Sequence, residues 1–264
     1  VNFQERKHIR RVYRPIKKSG DKEMKSMFKA LSCIAALFSL AAFSLPAAAQ
    51  SAGSNVVNLG WFHFSPNDSS DPLQLVSPGP SVTIPGSGAK IKDADTVGVA
   101  LTHFFTDNFA VTADVGVPPK FKLDGSGSVS SLGQIGSAKQ WSPAIVAKWF
   151  FGDAESKFRP FVGAGVTYVW YSDVQLSQSL QGLVTQGHGT ASADLSSSWA
   201  PVANLGAVYN FDKNWSVGLS VSYIPLKTDA DITGTVAGLG VPIKAKTSLK
   251  IDPLVTFLSV GYRF

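Results

Sequence analysis

The chain of 264 residues has one cysteine, Cys33, and it lies in an N-terminal segment set apart from the rest. Beyond that segment no disulfide can form, so an exported domain must be held by its hydrogen-bond ladder and packing alone. Histidine is almost as scarce. His63, His103 and His188 follow the N-terminal segment, far apart and without metal-ligand spacing. The G-x-S-x-G, H-E-x-x-H and P-loop patterns are all missing. The expectation is therefore a protein that is not an enzyme, with no catalytic residues, no metal and no cofactor. An uninterrupted apolar run of about 20 residues with a stop-transfer flank, as a membrane helix needs, is also lacking.

What the N-terminus does have is a leader. Residues 22–50 read KEMKSMFKALSCIAALFSLAAFSLPAAAQ, with Lys22, Lys25 and Lys29 ahead of the apolar stretch Ala30–Leu45. Ala47 and Ala49 then form an A-x-A cleavage site before Gln50. This predicts a signal peptide over 24–49 and a mature chain over 50–264. Residues 1–23 read as untranslated upstream sequence, with Met24 or Met27 as the start. The whole chain carries 24 Lys+Arg and 18 Asp+Glu, but residues 50–264 hold fourteen basic and fifteen acidic ones. The basic balance belongs to the leader, and nucleic-acid binding has no support from charge.

The mature part is rich in alternation. Period-2 patterns recur at Asn55–Phe64, Thr96–Phe105, Phe109–Val117, Trp141–Phe151, Arg159–Tyr171, Trp199–Phe211, Trp215–Leu226 and Lys250–Phe264. Short Asp/Asn/Gly turns, at Thr106–Asn108, Gly152–Phe158 and Asp212–Asn214, alternate with long segments at Ser65–Asp95, Pro118–Gln140, Ser172–Ser198 and Lys227–Leu249. The long segments are Gly/Ser/Pro/Asp-rich and show no strong helical period. Short turns at one end and long loops at the other are the signature of an outer-membrane barrel, short turns towards the periplasm. A soluble β-sandwich would not sort its loops so consistently. The fold expected is all-β: an eight-stranded antiparallel transmembrane β-barrel with four long extracellular loops.

Parity sorts each strand into two faces. Val162, Ala164, Val166, Tyr168 and Trp170 share one, against Phe161, Gly163, Gly165 and Thr167; Trp215, Val217, Leu219, Val221 and Tyr223 oppose Ser216, Gly218, Ser220 and Ser222. Apolar residues face lipid and small or polar ones the lumen. Phe105, Phe109, Trp149, Phe151, Phe211, Trp215 and Phe264 gather beside the short turns as an inner aromatic girdle. Trp61, Trp141, Trp170 and Trp199 make the outer one. The chain stops on FLSVGYRF in mid-alternation, which places its last strand against the first to close the barrel, since an open sheet edge is not viable in lipid.

The stretch PAIVAKWFFGDAESKFRPFVGAGVTYVWY (Pro143–Tyr171) resembles the OmpW family of small eight-stranded outer-membrane proteins. So do the TDN turn, Val117–Pro118, Ser198–Trp199, Asp252–Pro253 and the closing GYRF. The resemblance spans residues 54–264. It implies a multi-pass protein of the Gram-negative outer membrane, surrounded by outer-membrane lipid and lipopolysaccharide. It also implies the passage of small hydrophobic molecules, as in relatives linked to alkane uptake, and in some members a role as bacteriocin receptor. The aromatic terminus, Tyr262 and Phe264, resembles the signal read by the barrel-assembly machinery.

The expected lumen-lining set is Thr112, Asp114, Lys148, Phe161, Gly163, Gly165, Asn204, Ser220 and Ser222. Its small members should leave room, while Asp114, Lys148, Arg159 and Arg263 should pair as buried charges do. Eight strands enclose space for side chains or one small ligand. Two functions remain open: a transport barrel for small, mostly hydrophobic solutes, and a structural or receptor barrel with a plugged lumen whose loops bind phage or bacteriocin. An outer-membrane lipid acylhydrolase would need a His–Ser pair on the lipid face, and His103 has no visible partner in sequence. Prolines cluster at the extracellular strand ends, at Pro118, Pro119, Pro143, Pro201 and Pro225. Proline cannot donate to a ladder, so Pro118, Pro143, Pro201 and Pro225 mark candidate lateral openings between the third and fourth or sixth and seventh strands.

Overall fold

A computed structural model describes residues 51–77, 79–236 and 242–264. The leader at 24–49, the upstream stretch 1–23 and the expected mature N-terminus at Gln50 lie outside the described residues. The first half of the chain forms β1 (Asn55–Ser65), β2 (Ser69–Ser70), β3 (Gln74–Ser77), β4 (Val82–Thr83), β5 (Ser87–Ile91), β6 (Ala94–Phe104), β7 (Phe109–Gly116) and β8 (Lys120–Gly127). There follow β9 (Gln134–Trp141), β10 (Ala144–Phe150), β11 (Phe158–Leu176), helix α1 (Gln178–Thr185) and β12 (Gly189–Leu195). The remainder is β13 (Ser198–Asn210), β14 (Trp215–Tyr223), β15 (Lys227–Val236), β16 (Ile243–Lys250) and β17 (Leu254–Arg263). No described helix is long and apolar enough to cross a membrane.

Eight of these strands, β1, β6, β7, β10, β11, β13, β14 and β17, form a closed antiparallel barrel in which each pairs with its predecessor and successor. The ring closes between β1 and β17, in register from Val56↔Arg263 to Ser65↔Leu254. At the seam the Asn55 N–H donates to the Phe264 carbonyl at 3.2 Å, and the Phe264 N–H donates back at 3.0 Å. The last residue is therefore part of the ladder, and its ring faces outward.

Parity behaves as expected around the ring. Leu59 and Leu205 are more than 60% exposed, with Ile145, Val162, Leu219 and Val260 on the same outer surface. In a soluble protein that apolar belt would be an aggregation surface; here it matches hydrocarbon. Trp141 and Trp170 stack on the outside at 5.8 Å with planes 2° apart. The periplasmic turns are built by side chains. Asp212 Oδ1 accepts the N–H groups of Asn214 and Trp215 at 2.7 and 2.8 Å, which holds its carboxyl below the usual range. Asn108 Nδ2 donates to the Phe150 carbonyl at 2.7 Å and so ties the first turn to the second hairpin.

Some boundaries differ from the sequence reading. The fourth alternating stretch is two strands, β9 and β10, broken at Ser142–Pro143. The seventh stops at Tyr223, two residues before Pro225, and the eighth is interrupted at Ile251–Pro253, where Asp252 takes a left-handed backbone (φ 36°). The long segments are folded. β5, β8 and β9 extend the wall above β11, while β12, β15, β16, β3 and β4 form a second sheet. Leu180 and Val184 of α1 pack under that sheet with Ile232 and Ile243. The Ser177 hydroxyl caps the helix by accepting the Leu180 N–H at 3.2 Å.

Candidate functional site

Three layers fill the lumen. At the extracellular end lies an apolar layer of inward side chains: Phe64, Phe121, Val146, Val202, Ile224 and Val255 belong to one buried cluster. Phe62 packs against it and stacks on Phe257 with ring centroids 3.9 Å apart. Tyr171 adds its hydroxyl to Thr228 Oγ1 at 2.8 Å, tying β11 to the base of β15. The interior is thus graded, not uniformly polar as Asp114 and Ser222 suggested.

Below it the layer is polar. Thr102 and Thr112 share a hydroxyl–hydroxyl bond of 2.9 Å, and Asn204 Nδ2 donates to Ser222 Oγ at 2.9 Å. Ser220 is buried beside them. The inward glycines do not leave the room expected of them. A Cβ on Gly206 would lie 2.7 Å from the Phe161 ring and 2.5 Å from the Leu219 carbonyl, and one on Gly165 only 2.0 Å from the Ile145 carbonyl. At Gly206 and Gly60 the absent side chain is replaced by a ring, of Phe161 and Phe257 respectively. Gly163 is similarly tight, 2.9 Å from the Ala147 carbonyl.

The periplasmic layer is aromatic and cationic. Phe104, Phe150 and Phe161 stand in a row at 5.0 and 4.9 Å, with the Arg159 guanidinium 5.3 Å from the Phe150 ring. Lys148 Nζ sits 4.9 Å from the Phe161 ring. The inward charges are coupled at a distance: Asp114 and Lys148 attract one another within the lumen, and Arg159 is drawn to Asp107 and Asp153. Among the described residues, no ion pair within 4 Å joins Asp114 to Lys148. Arg159 donates to the Asp107 carbonyl at 2.6 Å, and Arg263 donates to the Lys213 carbonyl. The arginines lie at the periplasmic end, where turn carbonyls are nearer than any carboxylate on β7. Between these rings and Ser220 remains a cavity of about 40 Å³, lined by Asn58, Thr102, Lys148 and Ser259 among others, polar and roomy enough to hold water.

Phe104, Phe150, Phe62 and Phe257 escape a reading that looks for small inward residues, yet period-2 counting from Leu59, Phe105, Phe151 and Leu258 places all four inside. His103 faces outward and its Nδ1 lies 2.8 Å from Asn55 Oδ1, not beside a serine. Tyr262 and Phe264 project outward, 43% and 67% exposed.

The wall has two breaks. Between β13 and β14 the pairing ends at Ala203↔Tyr223. The Ile224 N–H donates to the Pro253 carbonyl at 3.2 Å, so the backbone groups of residue 224 face β17 and those of residue 225 face β13. Continuing the register sets Pro225 opposite Pro201, a pair that lacks both donors. Between β7 and β10 the pairing ends at Asp114↔Ala144. Pro143 is not the cause there, contrary to expectation: its carbonyl accepts the Tyr168 N–H at 3.3 Å, so its missing donor belongs to the β11 side. The ladder resumes above the break, where the Gln140 N–H donates to the Pro119 carbonyl at 3.1 Å. The break at Pro201 and Pro225 adjoins the apolar layer directly, since Val202 and Ile224 line it from within.

Residues 51–264 match the model of the OmpW family. The chain is 31% identical over 242 residues to outer membrane protein W of Vibrio cholerae, covering 91% of this chain and 100% of that protein. It is 32% identical to outer membrane protein AlkL of Ectopseudomonas oleovorans, over 69% of this chain and 71% of that one. The crystal structure of OprG from Pseudomonas aeruginosa superimposes with a TM-score of 0.71 at 25% identity, over 82% of this chain and 98% of OprG.

Proposed function

The chain belongs to the OmpW family and is an outer-membrane β-barrel of a Gram-negative bacterium, and we propose that it passes small, mostly hydrophobic molecules into that membrane through its side wall. The observation that carries this reading is the break at Pro201 and Pro225 beside the apolar layer. An apolar solute gathered by the extracellular loops partitions among Phe64, Val202 and Ile224, displacing side chains that are held by packing and not by hydrogen bonds. It leaves between β13 and β14, where no ladder bond has to be broken. The polar layer and the Phe104–Phe150–Phe161 row need never be crossed. No catalytic step and no cofactor enter this account.

The test compares two variants for uptake of a fluorescent apolar solute by proteoliposomes. Pro201→Val with Pro225→Val restores two donors and should slow uptake several-fold. Ser220→Phe, which fills the lower lumen, should leave it unchanged. The reverse pattern would rule out the side exit.

A second reading is favoured by the filled lumen and the folded loops: a receptor barrel whose extracellular sheets bind phage or bacteriocin. Replacing Ser177–His188 by a short Gly/Ser turn should then abolish such binding while leaving solute uptake intact.

A further inference from the structure

The residues from Gln50 onward carry a net charge of −1, yet five of their fourteen basic side chains lie on one small face. Lys120 stands opposite Lys139 in the β8–β9 register, and Lys122 is two residues further along β8. Lys90 pairs in register with Asp124, and the Lys92 N–H donates to the Lys122 carbonyl, which sets those two lysines side by side. Cross-strand partners share a face of the sheet. The opposite face is buried: Phe121 belongs to the apolar lumen cluster, and Ala89, Ile91 and Leu123 pack against it. The five lysines therefore point away from the barrel interior.

Two carboxylates answer them. Asp124 meets Lys92 at 2.8 Å and Asp173 meets Lys139 at 2.7 Å. Among the described residues Lys90, Lys120 and Lys122 make no direct ion pair, leaving a net charge of +3 on this face. The other extracellular sheet is different. Lys227, Lys244, Lys246 and Lys250 share it with Asp194, Asp229 and Asp231, Asp231 pairs with Lys246 at 3.1 Å, and Lys250 reaches Asp252 at 3.2 Å. The excess is local.

Its height is set by the tryptophans. Trp141 and Trp170 are register partners stacked on the outer wall, at the level of the outer aromatic girdle. Lys139 is two residues beyond Trp141 on the same face, about 7 Å along the strand. Its partner Lys120 is level with it, and Lys122 and Lys92 come next. The lysines thus begin where hydrocarbon gives way to headgroups. A like-charged pair such as Lys120–Lys139 is unfavourable on its own and becomes favourable around an anion.

We propose that this face binds the phosphate groups of the anionic glycolipid of the outer leaflet, a lipid A-type lipopolysaccharide, with Lys90, Lys120 and Lys122 as the free cationic contacts and the Trp141–Trp170 pair against its acyl chains. Bound lipid would brace the β8–β9 extension of the wall from outside. The occupant is assigned by charge complementarity and by height above the tryptophans.

The experiment uses the refolded barrel in detergent micelles and measures binding of bisphosphorylated lipid A and of its dephosphorylated form by native mass spectrometry. Wild type should prefer the phosphorylated lipid and lose it as salt is raised. Lys90→Gln, Lys120→Gln and Lys122→Gln together should weaken binding about 100-fold, and Lys122→Gln alone about fivefold, as expected for lysines beside an anionic surface. The triple replacement Lys227→Gln, Lys244→Gln and Lys246→Gln on the other sheet should change it little. Each variant is checked for the heat-modifiable gel shift of a folded barrel. Equal binding of the two lipids, equal losses in the two triple variants, or no loss in the first would overturn the proposal. Displacement of the lipid by millimolar inorganic phosphate would mark a general anion site and overturn the lipid assignment.

Discussion

Thr112 has no exposed surface, and its hydroxyl is 2.9 Å from that of Thr102. A buried polar pair of this kind contributes little net, but breaking it is expensive. Thr112→Val should destabilise the barrel in urea titration by about 1–3 kcal/mol, the cost of stranding one buried hydroxyl. Thr102→Val added to it should recover much of the loss, and an additive double variant would show that the bond is not made. Phe264 tests a different property. Its ring lies at the inner girdle, where a charge on the lipid face costs about 0–1 kcal/mol, so Phe264→Asp should hardly alter the folded barrel's stability. On the proposal that Tyr262 and Phe264 are read during assembly, it should nevertheless cut outer-membrane insertion sharply, as quantified by surface labelling. Normal surface levels would remove that role.

Strands and loops show how far sequence reaches. Alternation located all eight barrel strands because each is amphipathic on its own: Trp215, Val217, Leu219 and Val221 face lipid whatever β14 pairs with. It missed the extracellular sheets because their faces are decided by partners far along the chain, as when Leu249 of β16 meets Ser70 of β2. Helix α1 has eight residues, too few for a 3.6-residue period to stand out, and its apolar positions find partners on β15 and β16. In the lumen, parity carries no information about packing. A glycine reads as empty space in sequence, whereas in the fold Phe161 lies over Gly206. Strand ends were displaced where proline or a left-handed residue intervened, at Pro143, Pro225 and Asp252. The paired prolines also yield a prediction at this scale. Pro201→Val with Pro225→Val adds two N–H groups aimed across the β13–β14 break, and hydrogen exchange at residues 201 and 225 should be slow, as in the ladder below. Fast exchange at both would mean that the strands have already separated there.

For the molecule as a whole, orientation follows from the unequal ends of the barrel. Cysteines at Ser130 and Ser179, both exposed in the folded loops, should react with an impermeant thiol reagent on intact cells, whereas cysteines at Asp107 and Asn214 in the short turns should not. Labelling of the second pair alone would invert the topology. With that orientation, the proposed route runs from the loops through the apolar layer and the break beside it into the outer leaflet, without crossing the periplasmic layer. No cysteine follows Cys33, which allows that route to be closed at will. Pro201→Cys with Pro225→Cys places the two thiols across the break, and uptake of an apolar solute can be followed in the same cells before and after oxidation. The account predicts that uptake falls to the level of cells lacking the protein when the disulfide forms and returns on reduction. Uptake that proceeds unchanged through the locked wall would contradict it.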